Sequence, residues 1–353
     1  MWTYAAVLSL LGLLALLSVT LPKQAVVHMV LLPFSVIVLV LFIGLRDQVG
    51  ADWDTYQTIF DSYSHVDAHA IFTTAPIEPS YAALNYIAHI VGCGIYFVNL
   101  ICAMVMLLGL IRFADLVDID AVLTLFLSAP YLLFAVGMGY TRQAVAIGLG
   151  FAALAYWASG EQKKFILGVL LAISFHFSAV FLFLLVWMKN WKRILAAVPL
   201  AFVAGYIFIT MIYTHYFSLY VQNTDDLHSN GVWFRLAIVL LGIGIAFIQA
   251  RELNENPRLF GLVKAGASIS LFLIPLAIVA STFADRICLY LLFIYLIAMA
   301  KMTRFTRIEL RPMALAGIYT TTYLCFFAWF IASSYAARSW IPYRNILIGK
   351  IGS

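Results

Sequence analysis

Long apolar runs, separated by short polar connections, set the pattern of this chain from its first residues. Runs at 2–21, 26–45, 95–113, 121–139, 142–158, 194–213, 231–250, 259–281, 286–302 and 313–333 are each long enough for a helix crossing a hydrocarbon core about 30 Å thick. The segment 80–92, "SYAALNYIAHIVG", repeats apolar residues at helical spacing, with Tyr81, Leu84, Ile87 and Val91 on one stripe, and reads as an amphipathic helix at the interface or partway into the membrane. The segment 164–188 has the length of one span. The positive-inside rule favours a hairpin of two short helices turning near "FHFSA" (175–179), because only then do the basic clusters at 163–164 and 189–193 fall on one side. The first run lacks the basic start and small-residue cleavage pattern of a signal peptide and reads as a retained span.

Composition agrees with the pattern. Hydrophobic residues make up 64% of the chain and charged residues 10%, with a mean hydropathy of +1.00, which no soluble domain of this length tolerates on its surface. The expected fold is an all-α polytopic membrane bundle of about 11 to 13 helices, a single transmembrane domain over 1–353 with external loops at 46–79 and 214–230. Cys93, Cys102, Cys288 and Cys325 sit in apolar context without metal or CxxC spacing and read as core residues.

Charge placement gives the first functional lead. The loop 46–79 carries one basic residue, Arg46, against Asp47, Asp52, Asp54, Asp61, Asp67 and Glu78, so it is assigned to the outside. On that topology Arg46, Arg142, Arg235, Arg286, Arg338, Arg344 and Lys350 are external and the other basic residues face the cytoplasm. Topology opposes basic residues outside. The excess of arginine over lysine there points to binding of phosphate or carboxylate by a planar, permanently charged fork. The bland reading of each such arginine is an anchor snorkelling to the interface. Ionisable residues from distant segments join them: Glu78 before Pro79, Gln143 beside Arg142, His176 at the hairpin tip, and Asp285 beside Arg286 at the opening of a span. Together they suit an external cavity for an anionic, partly hydrophobic ligand. Their structural readings are a helix cap for Glu78, a satisfied buried histidine for His176 and a helix-end ion pair for Asp285–Arg286. Asp61 and Asp67 read as solvated loop residues, and His28 and His89 as structural. No HExxH, Walker or GxSxG pattern occurs.

Several motifs resemble, in order and spacing, those of the EpsG-like Wzy polymerases of bacterial surface polysaccharides: "GLRDQVGADWDTY" (44–56), "EPSYAALNYI" (78–87), "YTRQAVAIGLGFAALAYW" (140–157), "KKFILGVLLAISFHFSAVFLFLLV" (163–186), "DRICLYLLF" (285–293) and "WIPYRN" (340–345). The resemblance is weakest over 194–284. It implies a lipid-linked-sugar transferase of GT-C-like architecture in the bacterial inner membrane. Its active site would face the periplasm, where both external loops would lie. A growing glycan would pass from undecaprenyl pyrophosphate to a lipid-linked repeat unit without metal or cofactor, beside a flippase and a chain-length regulator of the same pathway and with no nucleic acid. In that chemistry Arg46, Arg142, Arg286, Arg344 and Gln143 would bind pyrophosphate or sugar, with Tyr343, Trp53 and Tyr56 as sugar-stacking aromatics. Asp47 and Asp54 would brace the arginine or cap the following helix. The base would come from His176, Asp52, Glu78 or Asp285. His176 is preferred over Asp52, because a tight turn inside the membrane can fix its ring and its ordinary pKa of about 6.5 suits proton transfer. The alternatives are a transporter or flippase of lipid-linked oligosaccharides, which would favour mid-membrane charges and two related halves, and a membrane acyltransferase using His176.

Overall fold

The computed structural model describes residues 1–21, 24–74, 77–188, 229 and 231–351. The chain is an all-α, multi-pass membrane bundle. Among the described residues seven helices are long and apolar enough to cross a membrane. These residues cluster into two compact units, Met1–Ala179 with Met299–Ser353, and Val180–Ala298.

The first unit begins with α1 (Trp2–Thr20) and α2 (Val27–Gly44), followed by α3 (Trp53–Asp61) and α4 (Pro79–Val91). Then come α5 (Gly94–Leu116), α6 (Ala121–Gly139), α7 (Thr141–Ala158) and α8 (Gln162–Phe175). Asp120 caps α6 by accepting the Leu123 amide at 2.7 Å. Within α6 the ladder widens into a π-helical stretch over Ala129–Val136, beside Pro130, which has no N–H to give. α7 is buried along most of its length, and small residues allow it. A Cβ on Gly109 would stand 2.4 Å from the carbonyl of Gly148, and one on Gly148 would stand 2.6 Å from the carbonyl oxygen of Met106. The backbones of α5 and α7 therefore touch, as small residues permit between membrane helices.

α4 forms where 80–92 reads as helical, but its buried face differs from the expected stripe. Tyr81, Ala82, Asn85 and Ala88 are buried, whereas Ile87 and Val91 point outward. Against lipid the large aliphatics lose nothing by facing out, and the small and polar residues take the protein side. α8 likewise exposes Ile166, Leu167, Leu170 and Leu171. It stops at Phe175, His176 is extended (φ −158°, ψ 120°) and a 3-10 turn follows over Phe177–Val180. This break lies at the turn expected at 175–179.

The second unit holds α9 (Phe181–Trp187), α10 (Val232–Ile248), α11 (Pro257–Val279) and most of α12 (Ser281–Phe305). The basic cluster 189–193, the span expected at 194–213 and all but Ser229 of the loop expected at 214–230 lie outside the described residues. α12 starts at Ser281, not 286, so Asp285 and Arg286 sit one turn inside the helix rather than at its opening. The end of α12, from Met299, belongs to the first unit, as do α13 (Arg311–Ala332) and a short antiparallel hairpin of β1 (Tyr343–Asn345) and β2 (Gly349–Ile351). No periodicity announced that hairpin.

Candidate active site

The two ends of the first unit differ in chemistry. At the end where α5 and α7 finish and α8 begins, charges pair on the surface: Arg112 with Asp115, Lys164 with Glu161, and Arg304 with Asp118. At the other end, where α2 and α8 finish and α4, α5 and α7 begin, the charges are half-buried or buried and tie separate segments together.

Arg46 is the deepest of these, 1% exposed. Its Nε donates to the carbonyl of Val49 (3.1 Å), and one terminal nitrogen donates to the carbonyl of Ile43 (2.7 Å). The other reaches Thr141 Oγ1 (2.8 Å) and Asn99 Oδ1 (3.4 Å). The guanidinium lies 5.8 Å from the centre of the Trp53 ring. Arg46 thus fastens the loop after α2 to α5 and to the first residue of α7. The C-terminal segment straps the same loop from the other side. Arg46 bridges Asn345, the Asp47 amide donates to the Arg344 carbonyl (3.0 Å) and the Gly50 amide to that of Ser339 (2.8 Å). Gly50 has φ +115°, and a Cβ there would stand 2.1 Å from the carbonyl oxygen of Met138, so only glycine fits. Tyr343 is buried, stacks on Phe42 (4.4 Å between ring centres) and donates to its carbonyl (2.7 Å). Arg344, half-exposed, donates to Gln48 Oε1. These contacts place Arg46 and Tyr343 in the scaffold of the site.

Above this scaffold sits an ion pair. Arg142, the second residue of α7, donates to Glu78 Oε2 at 2.7 Å, with both side chains about one-fifth exposed. Its guanidinium also lies 5.9 Å from the ring centres of Tyr56 and Tyr81. Its Nε is buried with no hydrogen-bond partner among the described residues, as is the Tyr81 hydroxyl. Glu78 does not cap α4 with its side chain, which disposes of its bland reading. Its second oxygen accepts the Phe177 amide at 3.2 Å, so one carboxylate joins α4, α7 and the break after α8. At that break, His176 Nδ1 is 2.7 Å from Ser178 Oγ and 3.3 Å from the Ser178 amide. Ser80 and Ser174 hydroxyls meet at 2.7 Å and clamp α4 to α8 nearby.

Asp52 stands at the start of α3 without capping it. Burial pushes the Tyr56 hydroxyl up to about 12, with Arg142 pulling against this and Asp52 reinforcing it, so Tyr56 stays neutral. Trp53, Tyr56 and Tyr81 share one buried aromatic cluster. Asp47 accepts the Tyr96 hydroxyl at 2.8 Å. Gln143 is buried beside Arg142. The structure therefore gathers Asp52, Trp53, Tyr56, Glu78, Arg142 and His176 at one end of the first unit. Sequence reading passed over Tyr81, Asn99, Thr141 and Ser178 as site residues. Three of these lie inside the motifs quoted above, and only Asn99 carries no sequence signal.

Asp285 and Arg286 belong to the second unit. There Asp285 is buried, pairs with Arg235 of α10 and accepts Ser229 Oγ at 2.9 Å, whereas Arg286 is exposed. The expected partner of Asp285, its neighbour Arg286, is thus replaced by Arg235. Successive residues of a helix point about 100° apart, which sends one inward and the other out.

A family model described as the EpsG family matches residues 29–345. No curated protein and no solved structure matches the chain.

Proposed function

The chain belongs to the EpsG family, and from that premise we propose that it is a polysaccharide polymerase of the Wzy type, working on lipid-linked sugars at the periplasmic face of a bacterial inner membrane. The growing glycan would leave undecaprenyl pyrophosphate and join the non-reducing end of a lipid-linked repeat unit. The observation that carries this reading is Arg142. A guanidinium beside two tyrosine rings and one carboxylate, with its buried Nε left without a hydrogen-bond partner among the described residues, is suited to the oxygens of a phosphate or sugar.

In the reaction an acceptor hydroxyl attacks the anomeric carbon and gives up its proton to a carboxylate or imidazole of the site. The bond from that carbon to the phosphate oxygen breaks, and its electron pair leaves with the lipid pyrophosphate. Charge grows on the leaving group, so a fixed guanidinium lowers the barrier without reorganising. Tyr56 and Tyr81 wall the guanidinium with aromatic surface, and Trp53 offers a face of the same cluster near the loop. Arg344, reached by solvent, is offered as a further contact for the anionic carrier, and Gln143 for the sugar.

The test is to supply the purified protein with undecaprenyl-pyrophosphate-linked repeat units and no nucleotide sugar. A ladder of lengthening lipid-linked chains is expected. Transbilayer movement of the lipid without chain growth would overturn the polymerase reading in favour of a transporter.

A further inference from the structure

We infer that the turn 346–348 of the C-terminal hairpin is a lipid-seated anchor, which inserts among the acyl chains of the leaflet where α2 finishes and so holds the strap on the loop that carries Arg46. This needs the membrane bundle alone and not the transfer proposed above. Ile346, Leu347 and Ile348 are 46%, 66% and 61% exposed. Side chains along a strand alternate between two faces, so three neighbours point outward together only at a turn. Turns in water are built mostly from Gly, Asn, Asp, Ser and Pro. Here Asn345 and Gly349 supply that chemistry from the flanks. Asn345 Oδ1 accepts the Leu347 amide at 3.0 Å, its carbonyl accepts the Ile348 amide at 3.2 Å, and Gly349 takes φ +68°. The turn itself does not call for three aliphatic residues between them.

The roots of the turn fix its level in the membrane. The hairpin closes the C-terminal end of α2, where a helix runs out of its own donors. Asn345 Nδ2 donates to the Leu41 carbonyl (3.2 Å), the Tyr343 hydroxyl to that of Phe42 (2.7 Å) and the Ile346 amide to that of Leu45 (3.1 Å). α2 has 18 residues and so rises about 27 Å, close to the roughly 30 Å of a hydrocarbon core. Its end therefore lies near the boundary of the core. Leu347 and Ile348 follow Ile346 by one and two residues, a reach of at most about 7 Å, which is about the thickness of one headgroup layer. The turn cannot leave the interface. The lipid side of α2 leads to the same place. Val30, Phe34, Ile37 and Leu41 are exposed at helical spacing and form one outward stripe, and Asn345 is bonded to its last member. The apolar turn thus continues a surface that lipid already covers.

The anchor acts on the loop through the strap. The Asp47 amide donates to the Arg344 carbonyl, the Gly50 amide donates to that of Ser339, and Arg46 bridges Asn345. Single hydrogen bonds of this kind hold weakly wherever water competes for their partners. Three aliphatic side chains sunk in the leaflet resist lifting of the hairpin, because raising it would return their apolar surface to water. The lipid around the turn therefore steadies the loop after α2.

Two measurements test this on the full-length protein in vesicles of phosphatidylethanolamine and phosphatidylglycerol. In the first, the four native cysteines are replaced by alanine and a nitroxide is attached through Leu347→Cys. Molecular oxygen should relax it in preference to a water-soluble nickel chelate, with a depth of about 5–10 Å below the phosphates. The same label at Ser64, exposed beyond α3, should favour the chelate. Adding Ile346→Asp and Ile348→Asp should move the label at 347 to the behaviour of Ser64. In the second, hydrogen exchange of the Asp47 and Gly50 amides should quicken by roughly tenfold or more in the chain carrying both aspartates, because opening of the strap becomes easier. A label at 347 as open to the chelate as that at Ser64 would place the turn in water and overturn the inference. A label shielded from both reagents and broadened by a second nitroxide would put another copy of the chain there and overturn it too. Unchanged exchange beside a displaced label would refute the hold on the loop. Should the cysteine-free chain not accumulate, p-benzoylphenylalanine at position 347 of the otherwise unaltered chain, irradiated in the same vesicles, should form covalent lipid adducts, and their absence would be equally decisive.

Discussion

Replacing Arg46 by Met keeps the length and apolar stem of the side chain and removes every donor. Four acceptors then change: the carbonyls of Ile43 and Val49, Thr141 Oγ1 and Asn99 Oδ1. The two side chains can rotate toward new partners, but the two carbonyls cannot. The Ile43 carbonyl would ordinarily accept from the amide four residues on, and that amide, of Asp47, instead donates to Arg344. Leaving a buried carbonyl without a donor costs about 1–3 kcal/mol, hence about 2–6 kcal/mol for two. Relief from burying a guanidinium offsets part of this and favours the lower half of the range. On the scale of soluble domains of similar size, about 2–4 °C per kcal/mol, the melting temperature should fall by roughly 5–15 °C. The assay is thermal unfolding of the purified protein in detergent, followed by exposure of the buried Cys102 thiol to a fluorogenic maleimide. Arg46→Lys should fall between, since an ammonium can serve both carbonyls only if it sits at one point between them. The experiment contains no substrate. An Arg46→Met protein that melts within about 1 °C of wild type would refute the bracing role and return Arg46 to ligand binding.

Arg142→Lys and Glu78→Gln should each lower polymer formation by at least about tenfold while the protein still accumulates in the membrane, because a point charge cannot make the fork's contacts and a neutral amide cannot hold them; wild-type chain synthesis by either would remove the pair from the site. Gly148→Leu should destabilise the first unit by about 1–3 kcal/mol or more, read as a lower melting temperature, because its Cβ meets the Met106 backbone. For Tyr56 the folded pKa lies above the unfolded value, so the neutral form is favoured by folding. Its contribution is complete below about pH 10 and is lost as pH rises toward 12. A 295 nm difference titration of wild type against Tyr56→Phe should show no phenolate from this residue below about pH 11. A cysteine at Ser178 should react with an impermeant maleimide added to the periplasmic side, and one at Lys163 should not; the reverse pattern would invert the orientation.

What the sequence determined by itself was whatever depends on local periodicity and composition. Runs of twenty apolar residues can satisfy their backbone in a bilayer only as helices, so the membrane bundle was legible from the hydropathy pattern. The family motifs and the arginines that charge bias assigns to the outside drew attention to Arg142, Glu78, Asp52 and His176, which the fold does bring to one end of the first unit. What the residues do there was a tertiary matter. Arg46 and Arg142 look alike in sequence. One is sealed among carbonyls and the other stands beside a carboxylate and two tyrosine rings, and only contacts across nearly a hundred residues separate them. The same holds for α4, whose buried face could not be chosen from amphipathicity, because lipid and protein interior are equally apolar solvents for Ile87 and Val91. Asp285 was read with its sequence neighbour and is paired instead with Arg235 on another helix. The strap of 339–346 over the loop after α2 is made of main-chain hydrogen bonds between segments some three hundred residues apart, and every residue carries the same N–H and C=O, so its composition gives no sign of which other segment it will bind.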